Sequence, residues 1–340
     1  MKHLAGLDSN SLEIFVRICE LQSLTKAAAQ LGLTQAAISQ RIAKLEEKAR
    51  VSLLDRSLRP ITPTPAGQLL FLRAQGIIAA LRNLELELGA NAAMPVHEIR
   101  LGITGSLGTQ LVPEMVPELR KMTDRLVLRV DSSGDLNRAL MERSLDIVIS
   151  NEPMSERHDL IQYEVLREPL ILVCRKSEPI KGMEVYEAIE WLVNNRPFLR
   201  YSPGSPLARQ IEAHIRQIAA LPVDAMEFNT SETIVQMVKD GLGWTVTTPL
   251  NLAPLGVRGL VAHPLPRGHN WRMTWLLARS GELRDVPAQV AALVHRTMQQ
   301  TVMPKVAAAL PRLSPTIRLV EPQAQVNRFS AASSQGISKS

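Results

Sequence analysis

Residues 23–48 read SLTKAAAQLGLTQAAISQRIAKLEEK, and this stretch decides how the N-terminal part folds. Ser23 is placed to cap a short helix over Leu24 to Leu31, rich in Ala27, Ala28 and Ala29. Gly32 then supplies the left-handed residue that a helix C-terminus favours. Leu33 can plug the gap between two helices, and Thr34 caps a second helix running to about Ala49. Two short helices joined by a tight glycine turn make a helix-turn-helix.

The second helix can be read by angle, at about 100° per residue. Ile38, Ile42 and Leu45 share one face, flanked by Thr34 and Arg41, and Ala36, Ser39, Gln40, Ala43 and Glu47 share the opposite one. A solvated face is usually rich in Lys and Glu, yet the first turns here carry alanine, serine and glutamine. Small side chains let a helix sink into the major groove of double-stranded DNA. There an amide can pair with adenine and an alanine methyl can pack on a thymine methyl. An alanine-rich helical hairpin with no nucleic-acid role is the alternative.

Working outward, Val51 to Gly67 reads VSLLDRSLRPITPTPAG. Short β-prone pieces, Arg56, Arg59 and a Pro/Thr turn predict a wing whose arginines reach phosphates or the minor groove. Residues 64–90, TPAGQLLFLRAQGIIAALRNLELELGA, predict a long helix with leucines at helical spacing. Its apolar stripe is too long for a solvated linker. It reads as a dimerisation helix, with packing inside its own subunit as the alternative, and a dimer would meet two DNA half-sites.

With these residues in place, the chain resembles the LysR-type transcriptional regulator family. The resemblance is carried by Phe15, Ser23-Leu24-Thr25-Lys26-Ala27-Ala28, Leu31, Thr34-Gln35, Ile38-Ser39-Gln40, Ile42, Leu45-Glu46, Leu53, Arg56, Thr64 and Ala66-Gly67. It implies an α/β multidomain chain: an N-terminal winged helix-turn-helix, a long linker helix, and a C-terminal two-lobed α/β effector domain like periplasmic binding proteins. It also implies a homodimer, further assembled as a homotetramer, with promoter DNA and a small-molecule effector as partners and RNA polymerase as a candidate partner. The DNA-contacting set carried over is Thr34, Gln35, Ala36, Ser39, Gln40 and Arg41, with Arg56 and Arg59 on the backbone. The chain departs from the family at Arg50 (usually Gly), Leu54 (usually Phe) and Ala36 (often Pro or Ser).

Beyond about residue 96 strands and helices alternate, from EIRLGITGS through LVLRVDS, LDIVIS, EPLILVCRK and AMEFNTSETIVQMVKDGLGWTVTTP to RMTWLLARS. Alternation predicts an α/β architecture with a largely parallel sheet. The expected domains are 1–66 for DNA binding, 67–95 for the linker helix and hinge, and 96–303 for effector binding. The first lobe is expected over about 96–161 and 268–303, and the second over about 162–267. Residues 304–340, rich in Pro, Ser, Ala and Gln, are expected to form a disordered tail.

In such a fold ligands sit where loops leave strand ends and helices begin. Thr104, Gly105 and Ser106, then Ser202 and Ser205, then Thr230 and Ser231 place hydroxyls at three such points, and Thr247 and Thr248 follow a fourth strand. Helix N-termini favour anions, so a small carboxylate is the expected effector type. Each hydroxyl alone also fits a helix cap. Arg200 fits either an anion partner or a solvated position.

Composition agrees with a soluble protein. Of 340 residues, 45% are hydrophobic and 21% charged, which suits two or three globular domains. Net charge is +6, with +3 in residues 1–60 and +4 in residues 304–340. The excess at the N-terminal domain suits a polyanion partner, a merely solvated basic surface fits the charge equally, and the basic tail reads as passive or as an aid to non-specific DNA binding. Cys19 and Cys174 lie far apart in apolar contexts and read as buried thiols. The start lacks the apolar run of a signal peptide and no segment is long enough to span a bilayer, so a cytoplasmic protein with no membrane partner is expected. The seven histidines are scattered with no metal-ligand spacing, and no catalytic set, metal site or cofactor is expected. The rivals are a solute-binding protein, an enzyme on the same two-lobed fold, and a regulator with an empty cleft.

Overall fold

The computed structural model describes residues 8–57, 60–88, 96–219, 222, 224–265 and 271–326. Two compact units divide the chain: Met1–Arg100 with Met122–Val127 and Arg138–Asp146, and Leu101–Lys121 with Leu128–Asn137 and Ile147–Ser340.

The first unit opens with three capped helices: α1 (Ser9–Leu21), α2 (Leu24–Leu31) and α3 (Gln35–Ala49). The side chains of Asp8, Ser23 and Thr34 accept hydrogen bonds from the free N–H groups of Ser11, Lys26 and Ala37. Gly32 closes α2 in the left-handed region at φ 65°. Ile14, Phe15 and Ile18 pack with Ala27, Ala28, Ile38, Ile42 and Leu45, and Leu33 covers the cluster from the turn. Strands β1 (Leu54–Asp55) and β2 (Thr62–Pro63) pair antiparallel and form the wing. Helix α4 (Pro65–Leu88) sets Ala74 and Ile78 against Leu12 and Val16 of α1. On α4, Leu69 and Ile77 are left 59% and 44% exposed.

Next come β3 (Val96–Thr104), α5 (Gly105–Met122), β4 (Thr123–Asp131), α6 (Ser133–Met141), β5 (Ile147–Ser150) and β6 (Leu160–Pro169). A second group follows: β7 (Ile171–Arg175), α7 (Val185–Asn195), β8 (Phe198–Tyr201), α8 (Pro206–Ile215), β9 (Ala225–Phe228), α9 (Ser231–Asp240), β10 (Thr245–Thr247), α10 (Pro249–Leu252) and β11 (Leu260–Pro264). The chain closes with β12 (Trp271–Arg279), α11 (Val286–Thr297), a π-helical turn, α12 (Met303–Ala309), β13 (Arg318–Leu319) and β14 (Ala324–Val326).

One sheet has the order β13-β6-β12-β5-β3-β4, with β14 also on β6. Its centre is apolar on both faces, as at Leu101, Ile103, Ile147, Val148, Ile149, Leu276 and Leu277, because helices cover it. A second lobe holds the sheet β10-β7-β11 and the pair β8-β9, with Trp244 fully buried against Phe198.

Three expectations are corrected. The sheets are mixed, since β12 returns antiparallel to both β5 and β6, and β7 is antiparallel to β10 and β11. The second lobe starts after Pro169 and not near Gln162, because β6 pairs with β12 along its whole length. The expected disordered tail is ordered over 304–326. Val306, Leu310, Leu313 and Ile317 recur at spacings that bury them, and β13 and β14 pair with β6. Residues 327–340 lie outside the described residues.

Candidate functional site

Helix α3 exposes Gln35, Ala36 and Gln40 and half-buries Ser39, while Ile38, Ile42 and Leu45 anchor it to the core. Capping by Thr34 fixes the first turn, and the Thr25 hydroxyl donates to Gln35 Oε1 at 3.2 Å. That bond engages the Gln35 oxygen, and the NH₂ of this exposed side chain is the donor. Arg41 sits elsewhere, beside Asp8 at the start of α1. Hydrogen bonds from Ser11, with a smaller contribution from Arg41, hold the Asp8 carboxyl below the usual carboxylate range. Arg41 therefore lies on the flank of α3 away from the Ala36–Gln40 face.

Glu46 ties the wing to α3. It accepts from the backbone N–H of Leu53 at 2.8 Å and Leu54 at 3.2 Å, and pairs with Arg56 at 2.8 Å. Arg56 is half exposed, so Glu46 holds it at the edge of the wing. Arg59 lies outside the described residues.

Between the two lobes lies a cavity of about 450 Å³. Thr104, Gly105, Ser205, Thr230 and Ser231 line it, and so does Arg272 at the start of β12. Ser205 and Thr230 also cap α8 and α9, accepting from Ala208 and Thr233 N–H groups. The Arg272 guanidinium joins the lobes: Nη2 donates to Asn151 Oδ1 at 2.7 Å and Nη1 to Asn251 Oδ1 at 3.4 Å. Its Nε is buried and has no partner among the described residues, and neither has the Thr104 hydroxyl. Glu168 Oε1 lies 3.9 Å from Arg272 Nη1. Burial pushes the Glu168 carboxyl above the usual carboxylate range, while Arg272, the Leu250 N–H and Thr248 pull the other way.

Tyr201 organises the second-lobe wall. Its hydroxyl is 2.6 Å from Thr247 Oγ1 and 3.0 Å from Ser231 Oγ, and Asn251 Nδ2 donates to it at 3.4 Å. Four expected residues stand behind the cavity and do not line it. Thr247 supports Tyr201. Thr248 is fully buried beside Glu168. Ser202 donates to Asn229, and Arg200 is engaged by Glu212 and Glu227. The Ser106 side chain lies outside what is described. Among the described residues no three His, Cys, Asp or Glu gather to hold a metal ion, and no helix is long and apolar enough to cross a membrane.

Comparison with known proteins decides the family. The profile of the lysR-family bacterial regulatory helix-turn-helix protein matches residues 9–68, and that of the LysR substrate binding domain matches residues 92–319. The chain belongs to the LysR family. It is a DNA-binding transcriptional regulator with an effector-binding domain. Over 82% of this chain and 87% of the relative, it is 28% identical to the regulator BbuR of Bordetella bronchiseptica. Over 76% and 87% it is 26% identical to CzcR of Bacillus subtilis. Its fold resembles a full-length OxyR variant from Pseudomonas aeruginosa, with a TM-score of 0.64 at 19% identity over 87% of this chain and 98% of that one.

Within this LysR chain, sequence reasoning missed Arg272, Asn151 and Asn251. Arg272 sits in the strand RMTWLLARS with nothing local to mark it. Asn151 was legible as a polar residue just after a buried strand, the position where such folds bind ligands.

Proposed function

We propose that this regulator reads promoter DNA through the exposed face of α3, and that a small carboxylate held between the lobes modulates that binding. The observation that carries the effector class is Arg272, a largely buried cation on the cavity lining whose Nε has no partner among the described residues, and neither has the hydroxyl of Thr104 on the same lining. A carboxylate can accept from both donors and pair with the guanidinium. Because Arg272 already bridges Asn151 and Asn251, a ligand there has different contacts in open and closed lobes, which a shift in population requires.

On the DNA side, Gln35, Ala36, Ser39 and Gln40 face the bases, and Arg56 with Arg59 contacts the backbone. The exposed leucines of α4 support a dimer through that helix, assembled further as a tetramer, and RNA polymerase is the further partner. Residues 1–66, 67–95 and 96–326 form the DNA-binding, linker and effector parts, at work in the cytoplasm.

The test uses promoter fragments recovered by chromatin immunoprecipitation and a panel of small carboxylates read by thermal shift. A carboxylate at a hundred times its Kd stabilises the folded protein by about 2.7 kcal/mol. Arg272→Ala is expected to abolish that shift and its effect on promoter affinity, with the melting curve otherwise cooperative. Retained carboxylate binding in the variant, or a neutral effector in its place, would sink the carboxylate assignment. Loss of promoter peaks in a Gln40→Ala, Arg56→Ala variant tests the DNA face separately.

A further inference from the structure

A second cavity, of about 270 Å³, lies in the lobe built on β7, β10 and β11, apart from the site between the lobes. It forms where the chain leaves β7 at Arg175, turns back through Gly182 at φ 86°, and enters α7. Its floor is apolar. Ile180 and Ala188 are buried, Val261 of β11 forms the far wall, and Met183 at the lip is 38% exposed.

The mouth has the opposite character. Lys176, Lys181 and His263 are exposed around it, and neither lysine has a side-chain partner among the described residues. The acid of this lining, Glu178, is already engaged by Arg196 at 2.9 Å. An apolar pit with two unpaired ammonium groups at its rim favours an anion with an apolar body. The volume is below that of pockets for drug-sized ligands, roughly 300–1,000 Å³, so the fit is a short-chain or single-ring acid and not a peptide.

We propose that this pocket is an accessory effector site for a small apolar monocarboxylate. Its walls come from the loop after β7, from α7 and from β11, and β11 pairs with β7, which in turn pairs with β10, whose Thr247 supports Tyr201 in the first cavity. One sheet thus connects the two sites, and any coupling of affinity between them is reciprocal.

The test is a titration of the full-length protein carrying ¹³C-methyl methionine, with hexanoate as probe and 1-hexanol as its neutral counterpart. The Met183 resonance is assigned by its disappearance in Met183→Leu. Hexanoate is expected to shift it saturably, and 1-hexanol far less. The Lys176→Glu, Lys181→Glu pair is expected to weaken the response roughly tenfold, while Arg272→Ala leaves it unchanged. If charge reversal unfolds the lobe, Lys176→Gln with Lys181→Gln makes the same test. A Met183 signal unmoved by hexanoate, moved equally by 1-hexanol, or lost on Arg272→Ala overturns the proposal. Because that last variant disables the first cavity alone, failure of the carboxylate effector reading leaves this result standing.

Discussion

Glu46 holds the wing through two backbone N–H groups and one guanidinium, all converging on a side chain of the recognition helix. Removing it leaves two partly buried donors unsatisfied, and each such loss costs roughly 1–3 kcal/mol. Glu46→Ala is expected to lower stability by about that amount in urea unfolding and to weaken promoter binding further, because Arg56 loses its seat. Unchanged stability would mean the wing is held by β1 and β2 alone. The two thiols make a contrasting case. Burial, with Glu178 and Glu20 adding to it, pushes the Cys174 and Cys19 thiols up to about 12. Thiols that stay protonated at neutral pH are poor nucleophiles. Hydrogen peroxide at modest excess is therefore expected to leave protein mass and promoter affinity unchanged. A sulfenic acid at Cys174 by mass spectrometry would contradict this.

Helix ends and close approaches decide the elements, and two positions separate what glycine is for. Arg50 closes α3 at φ 54°, where the family usually has glycine and a side chain is strained. Arg50→Gly is expected to stabilise the domain by roughly 0.5–1 kcal/mol in chemical denaturation. Gly67, one turn into α4, has another purpose: a Cβ there would lie 1.9 Å from the Leu53 carbonyl oxygen. Gly67→Ala must push α4 off the wing, at a cost of roughly 1–3 kcal/mol. If both variants moved stability the same way, this division of roles would be wrong. The Arg50 turn was legible from its place after the helix. The reason for Gly67 was not, since the contact that requires glycine comes from a residue fourteen positions earlier.

Across the whole molecule, the segment after α11 is part of the fold. His295 Nδ1 lies 3.0 Å from the Val320 carbonyl oxygen, and the Arg318 guanidinium sits 5.2 Å from the Trp271 ring centre. Val306, Leu310, Leu313 and Ile317 are buried as well, and β13 and β14 pair with the side of β6 that faces away from β12. Burial of one aliphatic side chain is worth roughly 1.5–3 kcal/mol. A chain truncated after Met303 is therefore expected to melt at least roughly 10 °C lower, or to aggregate through the uncovered β6 edge. Equal melting of both chains would return this segment to the status of a passive tail.

The sequence by itself determined the helix-turn-helix, its caps and the alternation of strands and helices, because those signals repeat every two to four residues and are read locally. It also determined three of the loops that reach the cavity, since hydroxyls at helix starts mark them. Tertiary structure alone decided that Arg272 lies among those loops while Arg200 turns away to Glu212 and Glu227. The same is true of the strand that stays in the first sheet to Pro169 and of the ordered segment over 304–326. Each of these depends on a partner far away in the chain, and a lone arginine or a short apolar run does not reveal which partner it will meet.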